Sequence, residues 1–178
     1  MRPDWDYLAQ AQTGDENAWR HLVERHSPQL IKMAFLITGS LEAAKDIVQE
    51  SFVRLFRQGA KHQQGSFKAY LSTIAYHLAL KEKKRGLQNQ NIENLELPDH
   101  NPGPMESVLQ KERDRHLVEI IGSLDLHHRN ILVLRFYGNH SYEEIAQITN
   151  SPIGTVKSRI FHAVKACREG LRKKGIIE

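Results

Sequence analysis

Three prolines fall within seven residues, between positions 98 and 104, and no helix can run through such a stretch. Each proline lacks a backbone N–H, and its ring clashes with the preceding helical turn. An earlier stretch, residues 86–91, has one glycine and is rich in amide side chains, which favour loops. We therefore predict a linker over residues 87–104 that joins two folded parts, residues 1–86 and 105–178.

Apolar residues on both sides of this linker recur at helical spacing, and no segment alternates as a half-buried strand would. Capping residues and glycines mark where the predicted helices begin and end. The predicted fold class is all-α: two small helical domains joined by a flexible linker. The predicted helices are 4–12, one opening after Asp15, one opening at Pro28 and ending at Gly39, 40–57, 66–85, 105–123, 126–137, 142–149 and 152–173.

The composition is that of a globular protein with an unremarkable N-terminus. Hydrophobic residues make up 40% of the chain and charged residues 26%, and no apolar run is long enough to cross a membrane. The first six residues lack the apolar stretch of a signal peptide, and the single cysteine excludes an internal disulfide. We expect a cytoplasmic protein.

Positive charge is concentrated in two segments that lie far apart along the chain. The net charge is +4, residues 81–85 hold four cations and one Glu, and residues 154–178 hold seven Lys and Arg against two Glu. Two separated basic patches favour two contacts with nucleic acid. Solvated helix ends are the alternative interpretation.

A helix-turn-helix is predicted over residues 142–161. Ser141 and Glu144 have the spacing of a capping box at the start of its first helix. Asn150 tolerates the left-handed conformation that the turn requires. Ser151 can cap the second helix with a proline at its first position, and apolar residues then recur along the buried side of that helix.

The opposite face of this second helix carries donors, cations and one aromatic ring. A recognition helix needs such side chains to read base edges and to meet phosphates, and Phe161 could contact a thymine methyl group. An ordinary helical hairpin is the alternative, but the capping box, turn and basic helix together favour DNA binding. The predicted contacts are Thr155, Lys157, Ser158, Arg159, Phe161, His162 and Lys165.

The predicted helix 40–57 combines a broad apolar arc, which includes Phe56, with a polar surface. Asp46 and Glu50 lie four residues apart, where like charges repel each other, so this surface could face a basic partner. Pairing of Glu50 with Arg54 on a solvated surface is the alternative, and spacing alone favours it. The surface also includes Gln49, Val53 and Arg57.

The predicted helix 66–85 has a stripe of aromatic and basic side chains beside its apolar stripe. Rings that stack on bases and cations that meet phosphates are typical of single-stranded DNA binding. Tyrosines that bridge core and solvent explain this helix equally well when it is considered alone. The stripe consists of Tyr70, Thr73, Tyr76, His77, Lys81 and Lys84.

The sequence gives no indication of catalysis, a cofactor or a metal. His127 and His128 are adjacent, so on a helix they point about 100° apart, and His21 and His26 are also poorly spaced for one ion. Cys167 falls on the buried stripe of the last helix, and no phosphate-binding loop or nucleophile elbow occurs. We expect neither an enzyme nor a cofactor nor a small-molecule substrate.

Several segments, in order along nearly the whole chain, resemble those of the extracytoplasmic-function sigma factors of RNA polymerase. Residues 46–57 resemble the core-binding segment of that family, and residues 67–75 resemble its promoter-melting segment. Residues 141–146 and 154–159 resemble its C-terminal helix-turn-helix, and residues 129–137 fit the preceding helix.

The resemblance implies two domains, region 2 and region 4, that bind the clamp coiled coil and the flap of core RNA polymerase. By position, the polar surface at residues 46–57 would face polymerase and the stripe at residues 70–84 would face the −10 strand. The face at residues 155–165 would read the −35 duplex. An anti-sigma factor, often at the membrane, is a further implied partner.

Some residues depart from the family pattern where bases are read, namely Tyr76, His77, Lys81 and His162, so the promoter sequence is not predicted. The alternative function is a helix-turn-helix regulator that acts without polymerase. Residues 1–85 would then be a sensor or dimerisation domain.

Overall fold

The computed structural model describes residues 3–59, 65–90 and 112–177, and within these ranges the secondary structure is helical. The all-α fold class predicted from the sequence is confirmed. The helices of the described ranges are α1 (Asp4–Gln12), α2 (Glu16–Thr38), α3 (Leu41–Gln58), α4 (Phe67–Gln90), α5 (Glu112–Ser123), α6 (Leu126–Phe136), α7 (Tyr142–Thr149) and α8 (Ile153–Lys173).

The first unit comprises α1 to α4, with α2 packed against the other three helices. Its helices begin where the sequence predicts, because Asp15 and Ser40 accept hydrogen bonds from the first backbone N–H groups of α2 and α3. Ser66 accepts in the same way from the first turn of α4. The fully buried side chains at the centre of this unit include Leu22, Met33, Ile37, Leu55 and Leu71.

One helix boundary predicted from the sequence is wrong: α2 runs unbroken through Pro28. A proline inside a helix removes one backbone hydrogen bond and crowds the preceding turn. Here the buried stripe of α2 continues on both sides of the proline, so burial of a long apolar face outweighs that local cost. The stripe consists of Ala18, Leu22, His26, Leu30, Met33, Ala34 and Ile37.

The second unit comprises α5 to α8, and α8 packs against the other three helices. Its fully buried side chains include Ile121, Ile131, Leu134, Ile145 and Ile148. Asp125 caps α6 by accepting from the N–H groups of His127 and His128. This unit holds the predicted helix-turn-helix.

Between the two units, α4 extends to Gln90, beyond the predicted end of the first domain at residue 86. The proline-rich segment lies outside the described residues, as does the start of the predicted helix 105–123, whose described part is α5. The domain boundaries 1–86, 87–104 and 105–178 stay predictions.

The two units pack against each other, which the sequence did not predict. α2 contacts α5 and α6, and α4 contacts α7. Among the described residues, the buried apolar side chains of both units form one continuous cluster. We call this packing of the first unit on the second the closed arrangement.

Candidate nucleic-acid and partner-binding surfaces

The face of α8 that the sequence predicts to bind DNA is presented to solvent over its first three turns. Val156, Ile160 and Ala163 are buried on the opposite side and fix the rotation of the helix. Thr155 and Arg159 are partly exposed at its edges. The exposed members of the face are Lys157, Ser158, Phe161, His162 and Lys165.

Phe161 is 66% exposed, an unusual position for so large an apolar side chain. Its ring lies at the edge of a groove of about 580 Å³ between α6, α7 and α8. The groove also exposes Phe136, and cationic side chains of α8 line it. Apolar rings surrounded by cations suit contact with thymine methyl groups and phosphates.

Both ends of α7, the first helix of the helix-turn-helix, are capped. The Ser141 hydroxyl accepts from the Glu144 N–H at 3.1 Å, and the Glu144 carboxylate accepts from the Ser141 N–H at 2.9 Å. This is the predicted capping box. Asn150 closes α7 in the left-handed conformation, with φ 48° and ψ 48°, as the sequence predicts.

The start of α8 differs in detail from the prediction. Pro152 occupies the N-cap position and gives no side-chain hydrogen bond, so the prediction that Ser151 caps this helix is wrong. The Ser151 hydroxyl instead donates to the Thr149 carbonyl, 3.2 Å away. Because Pro152 occupies the cap, Ser151 belongs to the turn and stabilises it from the α7 side.

The predicted polymerase surface lies along α3. Asp46, Gln49 and Arg57 are exposed and Val53 is partly exposed. Arg54 donates to the Glu50 carboxylate at 2.7 Å, the pairing that the sequence offered as the alternative. The surface is nonetheless open to a partner, since both side chains of this pair remain nearly half exposed.

Beside this surface lies an apolar groove that the sequence did not predict. Phe56, which periodicity assigned to the buried arc, is 42% exposed and lies edge-on to Trp19, with ring centroids 5.2 Å apart. With Val53 and Arg57 these rings line a groove of about 440 Å³. The predicted polar surface therefore continues into an apolar one.

The stripe predicted along α4 is divided between solvent and packing contacts. His77, Lys81 and Lys84 are exposed. Tyr70 is partly buried beside Trp5, with ring centroids 5.5 Å apart, and its hydroxyl donates to Gln58. The basic end of the stripe is therefore accessible and the aromatic end is held by other helices.

Tyr76, the second ring of that stripe, is only 7% exposed. Its hydroxyl oxygen lies 3.5 Å from the side-chain nitrogen of Asn130 on α6, at the limit of a hydrogen bond. Burial raises the pKa of the Tyr76 hydroxyl. In the closed arrangement Tyr76 is thus not placed to meet DNA, so its assignment to the −10 strand stays a prediction.

Between the two units lies a buried histidine that the sequence did not bring to notice. His140, in the turn between α6 and α7, has no exposed surface, and its Nε2 lies 2.9 Å from the Ser72 hydroxyl. Its Nδ1 lies 3.4 Å from the Glu144 carboxylate. Burial lowers the pKa of His140, the nearby Lys68 lowers it further, and Glu144 opposes both.

None of the helices among the described residues is long and apolar enough to span a membrane. No group of three or more His, Cys, Asp or Glu side chains within the described ranges could hold a metal ion.

Family models match two parts of the chain. The model for sigma-70 region 2 matches residues 22–87. The model for sigma-70 region 4 matches residues 115–167, which contain the helix-turn-helix.

Proteins similar in sequence to this chain are named ECF RNA polymerase sigma factors. The ECF RNA polymerase sigma-E factor of Haemophilus influenzae is 32% identical over 90% of this chain and 90% of its own length. The ECF RNA polymerase sigma factor SigE of Mycolicibacterium smegmatis is 30% identical over 90% of this chain, which spans 65% of that protein. Among solved structures, CnrH in complex with the cytosolic domain of CnrY has a TM-score of 0.69 and 20% identity, covering 96% of this chain and 97% of CnrH.

Proposed function

Because this chain belongs to the extracytoplasmic-function sigma factors of RNA polymerase, we propose that it binds core polymerase and directs transcription initiation at −10 and −35 promoter elements. This proposal rests on the solvent-exposed face of α8, a helix that follows the capping-box helix α7 and a left-handed turn. A helix held in this way can enter the major groove with its first turns.

The α8 face has the chemistry that a −35 reader requires. Lys157, Arg159 and Lys165 can neutralise phosphates, which contributes affinity without sequence preference. Ser158 and His162 can bond to base edges, and Phe161 can pack on a thymine methyl group. Region 4 would therefore be the second unit, within the predicted bounds 105–178.

The α3 surface is the proposed contact with the polymerase clamp. Asp46 and Glu50 offer acidic groups to a basic partner, and Val53 leads into the groove beside Trp19 and Phe56. Interfaces commonly combine an apolar centre with a charged rim, and this surface provides both. Region 2 would be the first unit, within the predicted bounds 1–86, with residues 87–104 as the linker.

The α4 stripe is the proposed contact with the melted −10 strand. Its exposed cations, Lys81 and Lys84, can hold the phosphates in the closed arrangement already. Tyr70 and Tyr76 would supply the stacking rings once they are accessible. The linker is proposed to run near the RNA exit path, and region 4 to meet the polymerase flap.

CnrH is solved in complex with the cytosolic domain of CnrY, and we propose an anti-sigma partner for this chain as well. The protein would act in the cytoplasm, without catalytic activity, cofactor or small-molecule substrate. Sequestration at the membrane by the anti-sigma factor would be one means of control.

Run-off transcription with core RNA polymerase and a genomic promoter library tests the proposal. We expect transcripts with defined start sites that require both the chain and core enzyme. A reaction without the chain gives the background. Protection of specific DNA by the chain alone, together with no transcripts from any promoter, would favour the polymerase-independent regulator instead.

A further inference from the structure

Helix α1 is anchored on α2 through its first residue, Asp4. One oxygen of the Asp4 carboxylate accepts from the Arg25 guanidinium at 2.8 Å, and the other lies 3.0 Å from Nε2 of His26. His26 is only 7% exposed, so this attachment reaches into the core of the first unit. The proposed DNA contacts include no residue of α1, and the rest of the helix contacts the parts of the first unit where those contacts begin.

Trp5 holds the start of α4. Its indole N–H donates to the Gly65 carbonyl at 3.1 Å, just before that helix begins. The Trp5 ring lies edge-on to Phe67, with centroids 5.0 Å apart, and tilted against Tyr70 at 5.5 Å. A single side chain of α1 therefore contacts both the backbone before α4 and the first turn of that helix.

Gln12, at the other end of α1, holds the end of α3. Its side-chain amide donates to the Phe56 carbonyl at 2.8 Å. The last four carbonyls of a helix have no partner within the helix, and Phe56 belongs to the last turn of α3. A Cβ atom at Gly59, where φ is 73°, would lie 2.9 Å from the Gln12 amide nitrogen. The backbone at the end of α3 therefore passes directly against this amide.

The contacts of α1 converge on Tyr70, one of the rings proposed to stack on the −10 strand. The Tyr70 hydroxyl donates to Gln58, the last residue of α3, and its ring lies beside Trp5. Part of the Tyr70 side chain remains exposed. A ring that is already oriented loses less conformational entropy when it binds, so this arrangement favours stacking.

We infer that Trp5 and Gln12 are positioning residues for −10 recognition, which fix the end of α3 against the start of α4 and thereby orient Tyr70. The inference rests on the proposed function for the role of Tyr70, whereas the positioning itself depends only on contacts within the first unit. Trp5 and Gln12 act through Tyr70 and do not themselves contact DNA.

Trp5→Phe in the full chain tests the inference, because it keeps an aromatic ring near Phe67 and removes the N–H donor. Gly65 is exposed, so water can satisfy its carbonyl and the variant should fold. In run-off transcription with core polymerase and promoters randomised at one element, preference at the −10 element should fall at least threefold. Preference at the −35 element should stay unchanged. The matched control is Tyr7→Phe, which removes the polar group of a ring that stacks on His21 instead.

Gln12→Ala is a second, independent disruption at the other end of α1, with Gln10→Ala on the same helix as its control. It should lower −10 preference in the same direction, and Gln10→Ala should not. Circular dichroism checks that both variants keep their helix content. Unchanged −10 preference in folded Trp5→Phe and Gln12→Ala, or an equal loss at both promoter elements, would overturn the inference.

A double-mutant cycle with Tyr70→Leu separates positioning from a general loss of structure. Two residues that act through the same group give non-additive effects. In the Tyr70→Leu background, Trp5→Phe should therefore change −10 preference less than 1.5-fold. A full additive loss in that background would show that Trp5 does not act through Tyr70 and would overturn its role.

Hydrogen exchange tests the positioning without polymerase or DNA. The amides of Ala69 and Tyr70 bond to the side chain and the carbonyl of Ser66 in the first turn of α4. Trp5→Phe should speed exchange of these two amides at least threefold relative to those of α7 and α8. Unchanged exchange would overturn the positioning. If the parent chain gave no transcripts with core polymerase, the proposed function would fail, and exchange would still decide whether α1 fixes the start of α4.

Discussion

At the scale of single residues, Glu50 and Arg54 form an exposed ion pair on α3. Exposed pairs of this kind contribute about 0–1 kcal/mol to stability, so changing one partner should not unfold the helix. Reversing the charge of Glu50 would, however, place a cation against the basic partner proposed for this surface.

We therefore expect Glu50→Lys to reduce co-purification with core polymerase at least tenfold while circular dichroism and thermal unfolding stay unchanged. The matched control is Glu24→Lys, which makes the same charge change at an exposed position of α2. Equal retention of polymerase by the two variants would count against the polymerase surface.

A substitution at His162 tests the proposed −35 surface. Its ring is exposed beside Phe161, with centroids 5.4 Å apart, so truncation leaves no cavity in the core. A well-made base contact gives about 1–3 kcal/mol of discrimination. His162→Ala should therefore lower preference at the −35 element about fivefold or more and leave preference at the −10 element unchanged.

Run-off assays on promoter libraries randomised at one element or the other measure both preferences. His127→Ala, which truncates an exposed histidine on α6, is the control. A change of −10 preference as large as that of −35 preference would show that His162 does not act as a local base reader.

At the scale of helices, capping explains which boundaries the sequence could predict. Asp15, Ser40 and Ser141 each bond to backbone N–H groups within three residues of themselves, so their effect is visible in a short stretch of sequence. Pro28 was interpreted wrongly because its local effect is opposed by burial along the whole of α2, against helices that are distant in sequence.

The two serines of the helix-turn-helix give a matched stability test. Ser141 caps α7 and forms the capping box, whereas Ser151 only donates to the Thr149 carbonyl. Loss of an N-cap typically costs about 1 kcal/mol. Ser141→Ala should lower the free energy of unfolding by about that amount, and Ser151→Ala by clearly less, in urea denaturation. Equal losses would contradict the structural distinction.

At the scale of the whole molecule, the candidate surfaces differ in how far sequence could predict them. The face of α8 follows from local periodicity, since the buried Val156 and Ile160 fix which side is exposed. The environment of Tyr76 could not be predicted, because a stripe of aromatic side chains has the same sequence pattern whether it binds DNA or packs against another helix. His140 was missed because its partner Ser72 lies in the other unit, 68 residues away.

The closed arrangement combines a continuous apolar cluster with incompletely satisfied polar groups. Leaving a buried oxygen such as that of Asn130 without a partner costs about 1–3 kcal/mol. A cost of this size is appreciable beside the total free energy of unfolding of a small protein, about 5–15 kcal/mol. Small changes at the boundary should therefore shift the balance between closed molecules and open ones, in which the two units are separated.

Lowering the pH should shift this balance through protonation of His140. Charged groups surround it from each neighbouring helix: Lys68 on α4, Glu144 on α7, and Arg135 on α6, whose guanidinium donates to the His140 carbonyl. Burial and Lys68 lower the pKa of His140 in the closed molecule, despite Glu144. In the open molecule, imidazole should return to its ordinary pKa of about 6.5.

The lower pKa of His140 in the closed molecule determines how closure depends on pH. Above about pH 6.5 both states hold a neutral imidazole, and the stabilisation of closure is fully present. As the pH falls towards the lowered pKa of the closed molecule, only the open molecule gains the proton, so closure weakens. Single-molecule energy transfer measures the open molecules as a low-transfer fraction, with dyes on cysteines at Glu24 and Lys173, exposed positions in opposite units, after Cys167→Ser removes the native thiol. We expect the low-transfer fraction of the dye-labelled parent to rise between about pH 7 and pH 5.5, and to change much less in His140→Ala.

His26, whose pKa is also lowered by burial, lies within the first unit, so its protonation should appear as lost helix content and not as opening. Equal pH dependence of the low-transfer fraction with and without His140 would show that another group controls the separation.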